Sequence, residues 1–250
     1  MGKVYLVGAG PGAADLLTLR AARLLEAADI VFHDALVQPD TLALAKGARL
    51  VDVGKRFGKV SPEQRFINRA LIEAARTHAV VVRLKGGDPM MFGRAQEELD
   101  ALAEAGIECE VVPGVTAALA AAATLRVSLT KRGVSRNVAF VTARRAPGQP
   151  ENAWLDAARC ADTVALYMAG WQSAEIAAVL IGAGRPATTP AVLVESASLP
   201  AERRIKTTLG ALLAAPALEF NGPVLLAIGE VFARADAEDL HFEEPARATG

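Results

Sequence analysis

The sequence predicts an α/β fold made of two α/β domains, and three observations predict it. Short apolar runs of strand type alternate with longer segments of helical period, the alternation breaks at Pro113-Gly114, and a second series of strand-type runs follows the break. The reading places an N-terminal α/β domain over 1–112, a C-terminal α/β domain over 113–240, and a flexible tail over 241–250, since from Arg234 onward charge, Ala and Gly dominate.

Five strands are expected in the first half: Val4 to Val7, Ile30 to Phe32, Leu50 to Val53, Val80 to Leu84 and Glu108 to Val112. Helical segments separate them at Leu16 to Ala28, Asp40 to Lys46, Pro62 to Arg76 and Ala95 to Ala105. This βαβ rhythm implies a mostly parallel five-stranded sheet with helices on both faces. The first helix is expected to take Asp15 as its N-cap. The third is marked by a capping box, with Ser61 as N-cap, Pro62 at the first helical position and Gln64 closing it. In the second half, strands are expected near Val138 to Thr142, Thr163 to Tyr167, Ala191 to Glu195, Arg203 to Thr207 and Val224 to Ile228. The last three lie close together, which predicts a mixed five-stranded sheet, because parallel neighbours need long crossovers.

Composition limits the function. The 250 residues are 52% apolar, ample for one or two cores, and 27 basic residues nearly cancel 28 acidic ones. No overall field draws such a chain to nucleic acid or to an anionic membrane, so an anionic ligand must be met locally. Val4 to Val7 is too short for a signal peptide, and the Ala-rich stretch Val115 to Leu125 is about half of what crosses a bilayer, so a cytoplasmic protein is expected. Cys109 and Cys160 lack CxxC spacing, and His33, His78 and His241 share no ligand spacing, so no metal is assigned. The serines Ser173, Ser196 and Ser198 lie in no nucleophile elbow.

Three loops carry candidate chemistry. Gly8-Ala-Gly-Pro-Gly-Ala13 follows a strand and fits the loose G-x-G-x-x-A form of a dinucleotide site. Pro11 removes an amide donor there and the helical period opens only at Leu16, so the pyrophosphate seat at a helix N-terminus is missing. An NAD(P)-dependent oxidoreductase therefore stands as the weaker alternative, and a tight glycine turn as the plain one.

Val82-Arg-Leu-Lys-Gly-Gly-Asp-Pro-Met-Met-Phe-Gly-Arg94 runs from a strand into a loop where open α/β sheets bind ligands. Gly86 and Gly87 permit close backbone approach, and Asp88 offers acceptors to a ribose diol or an amino group. The stretch Val53 to Gln64 carries Lys55, Arg56 and Lys59, with Arg65 just beyond, a local cationic clamp for a polycarboxylate or else a solvated basic loop. Asp34 ends the second strand at the same sheet edge, where a carboxylate suits a proton acceptor.

Together the blocks Val7 to Gly12, Leu16 to Leu19, Val53 to Arg56, Gln64 to Asn68, Arg83 to Arg94, Val112 to Ala117 and Tyr167-Met168 resemble the uroporphyrinogen-III C-methyltransferases of the tetrapyrrole methylase family. The resemblance covers nearly the whole chain. It implies the tetrapyrrole methylase fold, with the active site in the cleft between two α/β domains, usually in a homodimer. It implies S-adenosyl-L-methionine as cofactor and S-adenosyl-L-homocysteine as its product, with Pro11, Gly86, Gly87, Asp88, Met91, Thr116, Ala117, Met168, Ala197 and a residue near Leu225 in contact. Asp34 matches the family's proposed proton acceptor and Lys55 its proposed donor. The implied substrate, uroporphyrinogen III, bears eight carboxylates, which matches the local basic cluster, with Arg56, Lys59, Arg65 and Arg132 as candidate contacts. The implied reaction methylates C2 and then C7, giving precorrin-2 through precorrin-1. Thr142-Ala-Arg144, Lys131 and His33 depart from the family's usual residues. Methylation of a later precorrin, diphthine synthesis and a non-catalytic cofactor-binding protein are the alternatives within this fold.

Overall fold

A computed structural model of the chain describes residues 1–54, 64–144, 154–215 and 218–239. The chain divides into two compact units, Met1–Ala117 and Ala118–Gly250.

The first unit contains β1 (Lys3–Gly8), α1 (Leu19–Ala27), β2 (Ile30–His33), α2 (Pro39–Leu42), β3 (Arg49–Asp52), α3 (Gln64–Thr77), β4 (Val80–Lys85), α4 (Ala95–Glu104) and β5 (Cys109–Val112). Its sheet has the order β3-β2-β4-β1-β5, and every pairing in it is parallel. Strands covered on both faces are mostly apolar, and β4 is buried from Val81 to Lys85, with Arg83 and Lys85 as its two buried cations. One core joins Leu71 and Ala75 of α3 and Leu102 of α4 to Val4, Leu6, Phe32 and Val81. A second core joins Ala21 and Leu25 of α1 to Val7, Val31, Val82 and Leu84, so helices cover both faces. Each fully buried leucine contributes about 1.5–3 kcal/mol, far more than helix propensity, and the apolar pattern therefore decides the fold.

Two boundaries differ from expectation. Residues Ala14–Leu16 form a separate 3₁₀ turn, and α1 begins at Leu19 with Thr18 as its N-cap, the Thr18 hydroxyl accepting from the Ala21 N–H at 3.1 Å. Asp15 is exposed and caps nothing here; the run Leu16-Leu17 mimics a helical period that the chain does not take up until after Thr18. The second helical segment shrinks to the single turn of α2. The Ser61 and Pro62 half of the expected capping box lies outside the described residues.

The second unit takes α5 (Ala117–Thr124) at the boundary, then β6 (Val138–Val141), α6 (Trp154–Cys160), β7 (Thr163–Tyr167), α7 (Ser173–Gly182), β8 (Pro190–Glu195), β9 (Arg203–Thr208), α8 (Leu209–Ala214), β10 (Val224–Ile228) and β11 (Glu238–Asp239). Its sheet is mixed, in the order β11-β9-β8-β10-β7-β6. The pair β6/β7 is parallel, β7/β10 and β10/β8 are antiparallel, and β8/β9 is antiparallel, as the short connection from Glu195 to Arg203 requires. Helices α6, α7 and α8 bury Ala158, Ile176, Leu180, Leu209 and Leu212 against Val164, Leu166, Leu193 and Leu226. The sixth strand, β11, falls where sequence composition suggested fraying. It pairs with β9 and is anchored by Arg204, whose Nη1 donates to the Asp236 carbonyl at 3.1 Å. No helix among the described residues is long and apolar enough to cross a membrane.

Candidate active site

In the first sheet β1 and β4 are neighbours, but β1 leads on to β2 on one side while β4 leads on to β5 on the other. The chain therefore leaves these two strands toward opposite sides of the sheet at the carboxyl edge, the position at which α/β sheets form ligand sites. Backbone contact between these loops explains their glycines. Gly10 and Gly87 exchange two hydrogen bonds, Gly10 N–H to Gly87 O at 3.2 Å and Gly87 N–H to Gly10 O at 2.7 Å. A Cβ at Gly8 would meet Gly114 Cα at 2.6 Å, and one at Gly114 would meet the Gly87 carbonyl at 2.3 Å. The ends of β1, β4 and β5 thus touch through bare backbone. A Cβ at Gly54, after β3, would meet the Ala35 N at 1.9 Å, which brings the β3 and β2 loops together in the same way.

This geometry also disposes of the dinucleotide reading. The amide of Gly10 is spent on Gly87, and the loop leads into a single 3₁₀ turn with α1 opening only at Leu19, so the α-helix N-terminus that holds a pyrophosphate in dinucleotide sites is not at the loop.

Asp88 has a defined task here. Its Oδ1 accepts from the Met90 N–H at 2.8 Å and its Oδ2 from the Gly114 N–H at 2.9 Å, so the carboxylate staples the β4 loop to the β5 loop. Met91 follows, partly exposed, with its N–H on the Asp88 carbonyl; Pro11, Gly86 and Ala117 are partly exposed and Thr116 is buried.

Asp34 stands one residue beyond β2, its side chain 29% exposed. Beneath it lies a buried ionic network. Arg83, 3% exposed, donates from Nη2 to Asp34 Oδ1 at 2.5 Å and from Nε to Glu98 Oε1 at 3.2 Å. Its Nη1 donates to the carbonyls of Leu84 at 3.1 Å and Phe32 at 3.5 Å. Glu98, fully buried in the first turn of α4, also accepts from Lys85 Nζ at 3.1 Å on both oxygens and from Gln64 Nε2 at 2.9 Å. Burial and the adjacent Arg83 hold the Lys85 ammonium below the usual lysine range, opposed by Glu98 and Asp34.

Among the cationic candidates, Arg65 is exposed on α3 with its guanidinium over the Phe66 ring at 4.9 Å. Lys55, Arg56 and Lys59 lie outside the described residues.

In the second unit, Met168 follows β7 and Ala197 follows β8, while Leu225 lies near the start of β10, opposite Tyr167 and Val194. Since β10 runs antiparallel to both, these three positions share one sheet edge. Leu225 is itself buried in the centre of the sheet. Met168, Ser196 and Ser198 have φ of 58°, 53° and 70°, in the left-handed region that side chains other than glycine adopt only at a cost of about 1 kcal/mol or more. Phe92 and Arg94, after β4, share that conformation, so five of the six non-glycine residues of positive φ among the described residues follow β4, β7 or β8. Arg132 stands apart. It sits in the exposed turn closed by Lys131 and Ser135, and Ser135 bonds to Thr163 at the opposite end of β7 from Met168.

The model of the Tetrapyrrole (Corrin/Porphyrin) Methylases matches residues 3–213. The chain belongs to this family. Uroporphyrinogen-III C-methyltransferase of Pseudomonas aeruginosa is 47% identical over 231 residues, covering 92% of this chain and 94% of that protein. Among solved structures, uroporphyrin-III C-methyl transferase from Thermus thermophilus complexed with S-adenyl homocysteine aligns with a TM-score of 0.81 at 42% identity, over 92% of this chain and 98% of that one. A cobalamin biosynthetic enzyme, cobalt precorrin-4 methyltransferase, aligns with a TM-score of 0.79 at 30% identity, over 92% and 95%.

For this tetrapyrrole methylase, sequence reasoning missed Arg83, Lys85 and Glu98 as a unit. One signal was available: two cations at alternate positions of a central parallel strand, where burial is the rule, demand a buried acid. It also missed Glu195, buried at the end of β8, whose Oε1 accepts from the N–H groups of Asn221 and Gly222 at 2.6 and 2.7 Å and so fixes the entry to β10.

Proposed function

We propose that this chain transfers methyl groups from S-adenosyl-L-methionine to uroporphyrinogen III, first at C2 and then at C7, giving precorrin-2 by way of precorrin-1. The observation that carries the reading is the near end-to-end likeness to uroporphyrinogen-III C-methyltransferases, at 47% and 42% identity, against 30% for the enzyme named for precorrin-4.

S-adenosylmethionine supplies a sulfonium methyl, an electrophile that needs alignment more than activation. Pro11, Gly86, Gly87, Asp88, Met91, Thr116 and Ala117 at the first sheet edge, with Met168, Ala197 and the start of β10 near Leu225 at the second, are the residues we assign to holding it. The fit rests on backbone strain at Met168, Ser196 and Ser198, of the kind proteins retain at ligand contacts. Arg56, Lys59, Arg65 and Arg132 are assigned to the substrate carboxylates. The carbon–carbon bond forms as the carbon–sulfur pair returns to sulfur, and the proton lost from the tetrapyrrole passes to the Asp34 carboxylate. Lys55 is assigned as proton donor. A homodimer is the assembly we propose, and sedimentation velocity showing a monomer at assay concentration would contradict it.

Two measurements test the assignment of ligand and residues. Calorimetric titration should show S-adenosylhomocysteine binding and no NAD binding; the reverse outcome overturns the reading. Asp34→Ala and Lys55→Ala should keep the affinity for S-adenosylhomocysteine and lose turnover, whereas wild-type rates in both would remove these residues from the mechanism.

A further inference from the structure

We propose that Arg83 is a positioning residue for the reaction, fixing the Asp34 carboxylate in its working orientation, and that Glu98 acts on the reaction through Arg83. The proposal rests on the reading of Asp34 as proton acceptor given above.

A proton acceptor on a loop must be held within hydrogen-bond reach of one C–H, and a displacement of about 1 Å can cost on the order of a hundredfold in rate. Asp34 lies just outside β2, on the loop that leaves the strand. The restraint comes from the neighbouring strand. Phe32 of β2 pairs with Arg83 of β4, which places the guanidinium directly under the strand end.

Three separate anchors fix that guanidinium. Nη1 donates to main-chain carbonyls of β4 and β2, at Leu84 and Phe32, which cannot move unless the sheet moves. Nε donates to Glu98, and Glu98 is itself pinned by Lys85 and Gln64. The remaining edge, Nη2, meets Asp34 Oδ1 at 2.5 Å.

The asymmetry of burial assigns the direction of control. Arg83 is 3% exposed and Asp34 29%, so the buried, anchored partner sets the place of the accessible one. The planar fork is what the arrangement uses: a lysine ammonium is a point charge on a flexible stem and cannot hold these four acceptors at once. Arginine also stays protonated throughout, so it orients the carboxylate without itself exchanging a proton. Glu98 accepts from Arg83 Nε and Asp34 from Arg83 Nη2, so the route from Glu98 to Asp34 runs through the guanidinium.

The test is a double-mutant cycle in the full-length protein. Arg83→Lys is made in the wild-type and Asp34→Ala backgrounds, with kcat and KM for uroporphyrinogen III, Kd for S-adenosylhomocysteine and the melting temperature measured for each. Arg83→Lys should lower kcat about tenfold or more with KM and Kd unchanged, and should have no further effect once Asp34 is alanine. An effect that multiplies onto that of Asp34→Ala, or that falls on KM or Kd, overturns the proposal, because Arg83 would then act by another route. Wild-type kcat in Asp34→Ala alone refutes the proton-acceptor reading, and the positioning role falls with it; that outcome is seen in the single variant and is distinct from failure of the cycle. Should Arg83→Lys not fold, Asp34→Glu moves the carboxylate by one methylene without replacing a buried residue. It should lose kcat as steeply, and wild-type kcat there overturns the proposal.

Discussion

Replacing Glu98 by Gln tests the electrostatic frame on which the first sheet edge is built. Glu98 is fully buried and faces two cations, Arg83 at 3.2 Å and Lys85 at 3.1 Å, both 3% exposed. Exposed i,i+4 ion pairs on helices contribute only about 0.3–0.5 kcal/mol. Removing one partner of a buried pair leaves an uncompensated charge and costs about 3–5 kcal/mol. With a urea dependence of roughly 2 kcal/mol per molar, that loss lowers the unfolding midpoint by about 2 M. Equilibrium urea unfolding followed by circular dichroism is the assay, and Glu98→Gln with Lys85→Met should recover much of the loss, because the second change removes one orphaned cation. The pH dependence has a definite sign. Native Lys85 is held below its ordinary value of 10.5, so the cost of burying the charged ammonium is felt in full below the folded value and is relieved as pH rises from there toward 10.5. Glu98→Gln removes the group that opposes this depression, so its destabilisation should shrink as pH is raised from neutral toward about 10. A midpoint shift below about 0.5 M at neutral pH, or no recovery in the double variant, would refute the reasoning.

Three further outcomes follow from packing and burial. Gly114→Ala places a methyl 2.3 Å from the Gly87 carbonyl and 2.8 Å from Gly8 Cα, and should cost about 1–3 kcal/mol in the same unfolding measurement; an unchanged midpoint would mean that the three strand ends are not in backbone contact. Among the described residues the buried Thr41 hydroxyl has no hydrogen-bond partner, so Thr41→Val should be neutral or stabilise by about 1 kcal/mol, and a loss of that size would show that the hydroxyl is in fact bonded. Burial pushes the Cys109 thiol up to about 11, which leaves only about one part in a thousand as thiolate at pH 8, whereas Cys160 is exposed. Alkylation at that pH, mapped by peptide mass, should modify Cys160 first, and equal rates would contradict the partial burial of Cys109.

Most of the fold was legible because its sheets are built from short apolar runs whose period and spacing report burial directly. The parallel first sheet follows from helix-length connections, and the mixed second sheet from the seven residues between Glu195 and Arg203. What was not legible depends on contacts between distant segments. Thr18 was overlooked as a cap because Leu16 and Leu17 carry the apolar period one turn too early. Two-residue β11 has too little pattern to register, and it is held by Arg204 from another strand. Glu98 looks like any acid in the first turn of a helix; only the crossover from β4 to α4 brings it under Arg83 and Lys85. At Gly87 and Asp88 the sequence did not show the contacts within the protein: Gly87 exchanges hydrogen bonds with Gly10, its carbonyl lies against Gly114, and both carboxylate oxygens of Asp88 accept backbone N–H groups. Asp34 was legible as a strand-end acid, but its partner was not.

The most direct test of the central claim is anaerobic incubation of the purified protein with uroporphyrinogen III and S-adenosyl-L-methionine, with the products followed by mass. The account predicts a singly methylated species that appears first and is converted to a doubly methylated one, with one S-adenosylhomocysteine formed per methyl. Binding of S-adenosylhomocysteine without methylation of uroporphyrinogen III would contradict it, and methylation of precorrin-2 instead would assign the chain to a later step.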